Sequence, residues 1–183
     1  MIATDLYEGI RPAEGRDVTG VTGLLRMLSA AGFPLPYAPE DLPAHLHDVT
    51  VIEREGNVLG CACARDLGAA PDGAATAELG AFVVHPGYRG SGFGDSLLDY
   101  VEQDLRRRGF RRVVVVAGQG SYDWFSQRDF LSAGEARRAE QLPLDRRREL
   151  QAGGGAAAQL YVKALAELEG GYEDVPAGKR IGF

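Results

Sequence analysis

Apolar and polar positions along this chain change period several times, and each change marks an element. Tyr7-Glu8-Gly9-Ile10-Arg11-Pro12-Ala13 has the pattern of a short first strand. Val21, Leu24, Leu25 and Leu28 then recur at helical spacing, with Asp17 or Thr19 as the N-cap and Gly32 as the stop. Phe33-Pro34-Leu35-Pro36-Tyr37-Ala38-Pro39 carries three prolines in seven residues, so the helix cannot continue through it. This stretch is expected to be a rigid apolar loop, followed by a short helix around Glu40 to Leu46. Val49 to Arg54 and Val58 to Ala64 flank Glu55-Gly56-Asn57, the signal of a hairpin. Residues 67–75 are expected to form a flexible turn into a central strand, Leu79 to Val84, stopped before Pro86. A helix from about Ser96 to Gly109 leads to Arg111 to Val116, a strand of the buried parallel type. Asp123 is placed to cap a helix carrying Trp124, Phe125 and Phe130. Gln151 to Ala158 is low-complexity and expected to be mobile, and Gln159 to Lys163 is the last strand. One domain is expected over residues 1–166, with 167–183 as a frayed tail.

Composition narrows the possibilities only modestly. The 183 residues suffice for one real core, and 45% apolar with 25% charged residues is ordinary for a globular protein. A net charge of −6 argues against nucleic acid or an anionic membrane as the main partner. Arg106-Arg107-Arg108, Arg111-Arg112 and Arg146-Arg147-Arg148 are local clusters, suited to solvated helix faces or helix C-termini. Cys61 and Cys63 are expected to point to opposite faces of one strand, as buried structural thiols in a reducing compartment. No metal site is expected. No apolar run approaches membrane-span length and no signal-peptide pattern opens the chain, so a cytoplasmic location is expected, or an organelle matrix if the chain is cut from a longer precursor.

The candidate chemistry begins where the central strand ends. His85-Pro86-Gly87-Tyr88-Arg89-Gly90-Ser91-Gly92-Phe93-Gly94-Asp95 lies between that strand and the next helix. Glycines there let backbone N–H groups approach a ligand, and the first turn of the helix adds its own free donors. Together they suit a pyrophosphate. The spacing differs from the dinucleotide G-x-G-x-x-G, and no Lys-Ser/Thr follows as in a nucleotide P-loop. Val-x-x-Pro-x-x-Arg-Gly-x-Gly-x-Gly after a strand resembles the acetyl-CoA loop of the GNAT family of N-acetyltransferases. The resemblance implies an α/β (α+β) domain with a central, mixed but mostly antiparallel sheet, splayed at the acetyl-CoA strand and flanked by helices. It also implies acetyl-CoA as donor. Phe82, Val83 and Val84 would align the pantetheine arm, and Arg89, Gly90, Ser91, Gly92, Phe93, Gly94 and Asp95 would bind the pyrophosphate.

A narrower resemblance runs over roughly residues 2–165. Ile2 to Gly9, Val51 to Gly56, Gly60-Cys61-Ala62, Gly94 to Tyr100, Asp123-Trp124-Phe125-x-x-Arg128-x-Phe130 and Leu142-Pro143-x-x-Arg146-Arg147 are similar to the acetyltransferase domain of N-acetylglutamate synthases. It implies an amine acceptor of the amino-acid class, and either a homodimer or an amino-acid-kinase-like partner domain. The departures fall on the acceptor side. Leu35-Pro36-Tyr37 stands where the family has a Val-Arg-Arg-like segment, and Gly153 to Ala158 where it has Arg-x-Ser. Ala117 stands where it has Ser or Thr. Without two carboxylate-gripping arginines, glutamate is not the expected acceptor.

Acyl transfer from a thioester requires deprotonation of the acceptor amine, polarisation of the carbonyl and protonation of the leaving thiolate. Glu78, at the position the family uses for a proposed base, is the candidate base, expected to share a strand face with Phe82 and Val84. Ser121, Tyr122 and Ser126 are the nearby hydroxyls, with Tyr122 preferred as the acid and Ser121 second. His85 is assigned to the turn. An N-acetyltransferase acting on a small-molecule amine is the expected function; the alternative is a CoA-binding regulatory or structural domain.

Overall fold

The structure, a computed structural model, describes residues 9–33, 35–132 and 159–166. Among these residues one mixed sheet has the order β1-β2-β3-β4-β5-β7-β6. Its strands are β1 (Ile10–Pro12), β2 (Val49–Arg54), β3 (Asn57–Ala69), β4 (Ala75–Val84), β5 (Arg112–Ala117), β6 (Leu131–Ser132) and β7 (Gln159–Ala164). Only β4 and β5 pair in parallel; every other neighbouring pair is antiparallel. This matches the expected mixed, mostly antiparallel sheet.

Helix α1 (Val18–Ala30) buries Val21, Leu24 and Leu25 against one face of the sheet, with Val49, Val51, Cys61, Cys63, Ala81 and Val83. It ends as expected: Gly32 takes φ +78°, and Phe33 N–H returns to Leu28 O at 3.0 Å. Helix α2 (Phe93–Arg107) buries Leu97, Leu98, Val101 and Leu105 on the other face, with Leu79, Val113, Phe125 and Phe130. Glu102, also buried on α2, accepts from Lys163 of β7 at 2.6 Å and from Arg106 at 3.0 Å, tying the helix to the sheet.

Several boundaries differ from expectation. The strand placed at Val58 to Ala64 runs on to Ala69, so the turn into β4 is only residues 70–74. Arg112 of β5 anchors that turn through Asp72, and the guanidinium holds the Asp72 carboxyl below its ordinary value. Asp17 takes the N-cap position of α1 but makes no cap hydrogen bond. Its carboxylate instead receives both Arg11 Nη atoms, at 2.7 and 3.0 Å, and Glu14 N–H at 2.7 Å. The region expected as a helix around Glu40 to Leu46 is a 3-10 stretch, Pro39–Asp48. α3 (Tyr122–Ser126) has Ser121, not Asp123, at its N-cap position. The Gln151 to Ala158 loop, the 167–183 tail, the opening motif at Ile2, Tyr7, Arg146 and Arg147 lie outside the described residues.

Two expectations about faces are corrected. Cys61 and Cys63 share one core layer, because residues two apart on a strand point the same way. Burial pushes the Cys63 thiol up to about 12 and the Cys61 thiol well above its ordinary value. The second correction comes from a bulge in β4. Cys61 pairs with Val83 and Cys63 with Gly80, so β4 carries one extra residue there, and Ala81 sits at φ +47°. Ala77 and Leu79 face the α2 core before the bulge; Phe82 and Val84 face it after. Glu78 therefore lies on the opposite face from Phe82 and Val84, the α1 side with Ala81 and Val83. Cys61 Sγ–H donates to Ala81 O at 3.7 Å, within the bulge.

Candidate functional site

The parallel pairing of β4 with β5 runs only from Thr76↔Arg112 to Leu79↔Val115. Beyond it, Gly80 to Val84 of one strand and Val116 and Gly118 after the other line a single cavity of about 750 Å³. The splay expected at this strand is thus present, and it exposes the backbone edge of β4 to the cavity. Trp124 of α3 stands across from Phe82, their rings 5.3 Å apart.

At one end the cavity meets the glycine loop. Gly90 and Gly92 take φ of +81° and +80°, and a Cβ on either would meet no heavy atom within 4 Å. The backbone there is open to a close-approaching group, in a conformation that glycine adopts without strain. Gly92 is the N-cap residue of α2, whose 15 residues aim their positive end at the same place. Gly94 serves a different purpose: a Cβ there would lie 3.2 Å from the Trp124 ring, so its smallness lets α2 and α3 approach. His85 Nδ1 accepts from Gly87 N–H at 3.2 Å, the turn role expected of it. Arg89 Nε donates to Val84 O at 3.1 Å, pinning the loop to the end of β4. Arg128 stacks on Trp124 with its Cζ 3.8 Å from the ring centroid, and it donates to Asp95 at 2.6 Å. That pair offsets a carboxylate at a helix end otherwise favourable to anions.

At the other end the proline-rich loop crosses the cavity. Phe33, Leu35 and Pro36 line it with Leu28 and Ala31 from the end of α1. Pro36 packs on Gly80, where a Cβ would be 3.0 Å away, and Phe33 packs on Gly118. Tyr37 turns aside, its hydroxyl donating to Asp48 at 2.5 Å. Burial, with Asp48 next to it, raises the Tyr37 phenol above its ordinary value.

Glu78 lines the cavity beneath this loop and is buried. Its Oε2 accepts from Arg65 Nη2 at 2.6 Å, and Arg65 stands directly opposite it in the β3–β4 register. Sequence reasoning missed Arg65 because it ended the strand at Ala64. Its meaning comes only from the β3–β4 register, which places it opposite Glu78. Of the other candidates, Phe82, Val83, Val84, Arg89, Gly90, Gly92, Gly94, Asp95 and Ser121 line the same cavity. Ser91, Phe93 and Tyr122 are not among its lining residues: Phe93 lies under Arg54, and the Tyr122 ring packs 5.9 Å from Tyr161. Ser121 Oγ–H donates to Gly118 O at 2.9 Å, at the cavity wall. No group of three or more His, Cys, Asp or Glu able to hold a metal occurs among the described residues. No helix there is long and apolar enough to cross a membrane.

The chain belongs to the acetyltransferase (GNAT) family, whose model matches residues 25–130. Its relatives include the amino-acid acetyltransferase of Aeromonas salmonicida, 32% identical over 150 residues, or 80% of this chain and 31% of that protein. The amino-acid acetyltransferase of Neisseria meningitidis is 28% identical over 153 residues, or 84% and 33%. The chain thus spans about a third of the length of these curated relatives. Among solved structures, N-acetylglutamate synthase from Neisseria gonorrhoeae, complexed with coenzyme A and N-acetyl-glutamate, superposes with a TM-score of 0.75 at 26% identity. That match covers 86% of this chain and 35% of the synthase. A Mycobacterium tuberculosis protein in complex with CoA shares the fold at a TM-score of 0.66 and 20% identity, covering 86% of this chain and 99% of that one.

Proposed function

We propose that this chain transfers the acetyl group of acetyl-CoA to the amine of a small acceptor, an amino acid or simple amine with an uncharged side chain. The observation that carries this is the splayed β4–β5 cavity, with an open glycine loop at one end and Glu78 beneath an apolar cover at the other. Acetyl-CoA supplies the acyl group already activated as a thioester. The geometry fits it: Gly90 and Gly92 leave room for a pyrophosphate over the α2 N-terminus, and the Phe82–Val84 edge runs along the cavity towards Glu78. The synthase crystallised with coenzyme A supports the same donor.

The chain's own residues then divide the work. Backbone N–H groups at the β4 bulge polarise the thioester carbonyl. Glu78 takes the proton from the acceptor ammonium, directly or through one water. Ser121, which lines the cavity where Tyr122 does not, returns a proton to the leaving sulfur. Phe33, Leu35 and Pro36 contact the acceptor side chain, and their lack of charge argues for a neutral one. An amino-acid-kinase-like domain or a second copy of the chain is the partner this reading proposes. A screen of amino acids and amines, with release of the CoA thiol as readout, tests it. Turnover with neutral acceptors is expected; thiol release with none of them would leave only a CoA-binding domain.

A further inference from the structure

We propose that Arg65 is a positioning residue for Glu78, fixing the carboxylate at the point where the acceptor amine gives up its proton; this rests on the base role proposed above. The pair is built from several sides. Arg65 and Glu78 are register partners on β3 and β4, with Nη2 to Oε2 at 2.6 Å and side chains 27% and 5% exposed. The guanidinium lies over the Tyr37 ring, with Cζ 5.9 Å from the centroid. That ring is fixed in turn: its hydroxyl donates to Asp48, and it stacks on His45 at 3.8 Å with the planes 2° apart. A cation between a carboxylate and an aromatic face has little rotamer freedom left. The carboxylate it holds is equally confined.

This arrangement does more than balance a buried charge. Tyr37 ends the loop whose Leu35 and Pro36 cover the acceptor end of the cavity. The same stack therefore ties the base to the cover that confines the acceptor. A base misplaced by about 1 Å can lose a factor of about 10² in rate, so Arg65 acts on kcat through Glu78 and leaves the donor site alone.

A double-mutant cycle separates this from a purely structural ion pair. Arg65→Met should lower kcat by about tenfold or more while the KM for acetyl-CoA stays within about twofold. Arg65→Lys, which returns the charge without the planar fork, should recover part of the loss. In a Glu78→Gln background, Arg65→Met should cost less than about twofold, because there is no base left to position. Equal losses in both backgrounds would overturn the proposal. If Arg65→Met melts below the assay temperature, the cycle runs with Arg65→Lys, and the same comparison decides. A Glu78→Gln variant with wild-type rate would overturn the base role itself, and this proposal with it. A rate lost in Glu78→Gln but equally sensitive to Arg65 would overturn this proposal alone.

Discussion

The ring of Phe33 rests on the backbone of Gly118, so closely that a Cβ at Gly118 would come within 2.3 Å of it. Phe33 opens the proline-rich loop and Gly118 follows β5, so this one contact bridges the splay between the strands and their cover. Gly118 has φ −83°, so a side chain there is limited by Phe33 and not by the backbone. Gly118→Val should push the ring aside, at a packing cost of about 1–3 kcal/mol. The expected kinetic result is a KM for the acceptor raised about tenfold, with acetyl-CoA affinity unchanged. Adding Phe33→Ala should relieve part of the stability loss, read from thermal melts. An unchanged acceptor KM in a folded Gly118→Val variant would detach this contact from substrate binding.

At the donor end the relevant fact is the positive φ of Gly92 at the start of α2. A β-branched residue in that conformation is strained, and its side chain would project where the open backbone now faces the cavity. Gly92→Val is expected to weaken acetyl-CoA binding by more than tenfold, or about 1.4 kcal/mol, while the fold survives. Calorimetry on the folded variant checks this, and wild-type affinity would remove the loop from the pyrophosphate site.

How far the sequence revealed these features depends on how local each one is. The Glu55-Gly56 hairpin, the Gly32 stop and the glycine loop announce themselves through residues whose conformational preferences act within a few positions. The β-branched run Val113 to Val116 likewise states that it is a buried strand. The bulge at Ala81 has no such signature, since alanine does not ask for φ +47°. It arises from pairing with β3, and it moves Glu78 to the face opposite Phe82. Arg65 was hidden for the same reason: its meaning lies in the register with Glu78, thirteen residues away. The proline-rich loop over the cavity lies between these cases. Its prolines predict an irregular loop, but only the fold shows that Phe33 and Pro36 land on Gly118 and Gly80.

Stability in acid should depend on Asp17. Hydrogen bonds from Arg11, then from Glu14 N–H, hold its carboxyl below the ordinary 3.8, outweighing burial. Because the folded value is depressed, the stabilisation is complete above 3.8 and fades as pH falls through the folded value. Asp17→Asn removes the bidentate partner of Arg11, which keeps only the longer contacts to Glu53 and Glu14, and should destabilise the domain by about 1–2 kcal/mol at pH 7. That difference from wild type should shrink as pH falls below 3.8. Urea melts at pH 7 and pH 3 check the sign, and a difference that stays constant would assign the loss to packing.

Acceptor choice follows from the charges around the covered end of the cavity. Phe33, Leu35 and Pro36 offer apolar surface, Glu78 offers a negative charge, and the nearby guanidinium of Arg65 is engaged with Glu78 itself. A carboxylate side chain entering there would lose its hydration and meet Glu78 before any uncommitted cation among these residues. Desolvating an unpaired carboxylate costs several kcal/mol, far more than apolar contact with the remainder of glutamate returns. A neutral side chain of similar length incurs no such penalty and gains the Phe33 and Leu35 surface. The kcat/KM for neutral amino acids should therefore exceed that for glutamate by about a hundredfold, corresponding to about 2.7 kcal/mol. Competition assays with equal concentrations of glutamate and a neutral amino acid, read by mass spectrometry of the acetylated products, give that ratio directly. If glutamate is the preferred acceptor, a cation must grip it: Arg65→Lys losing glutamate turnover far more than turnover of neutral amines would name Arg65, and an even loss would point to Arg89 or Arg128, which line the cavity.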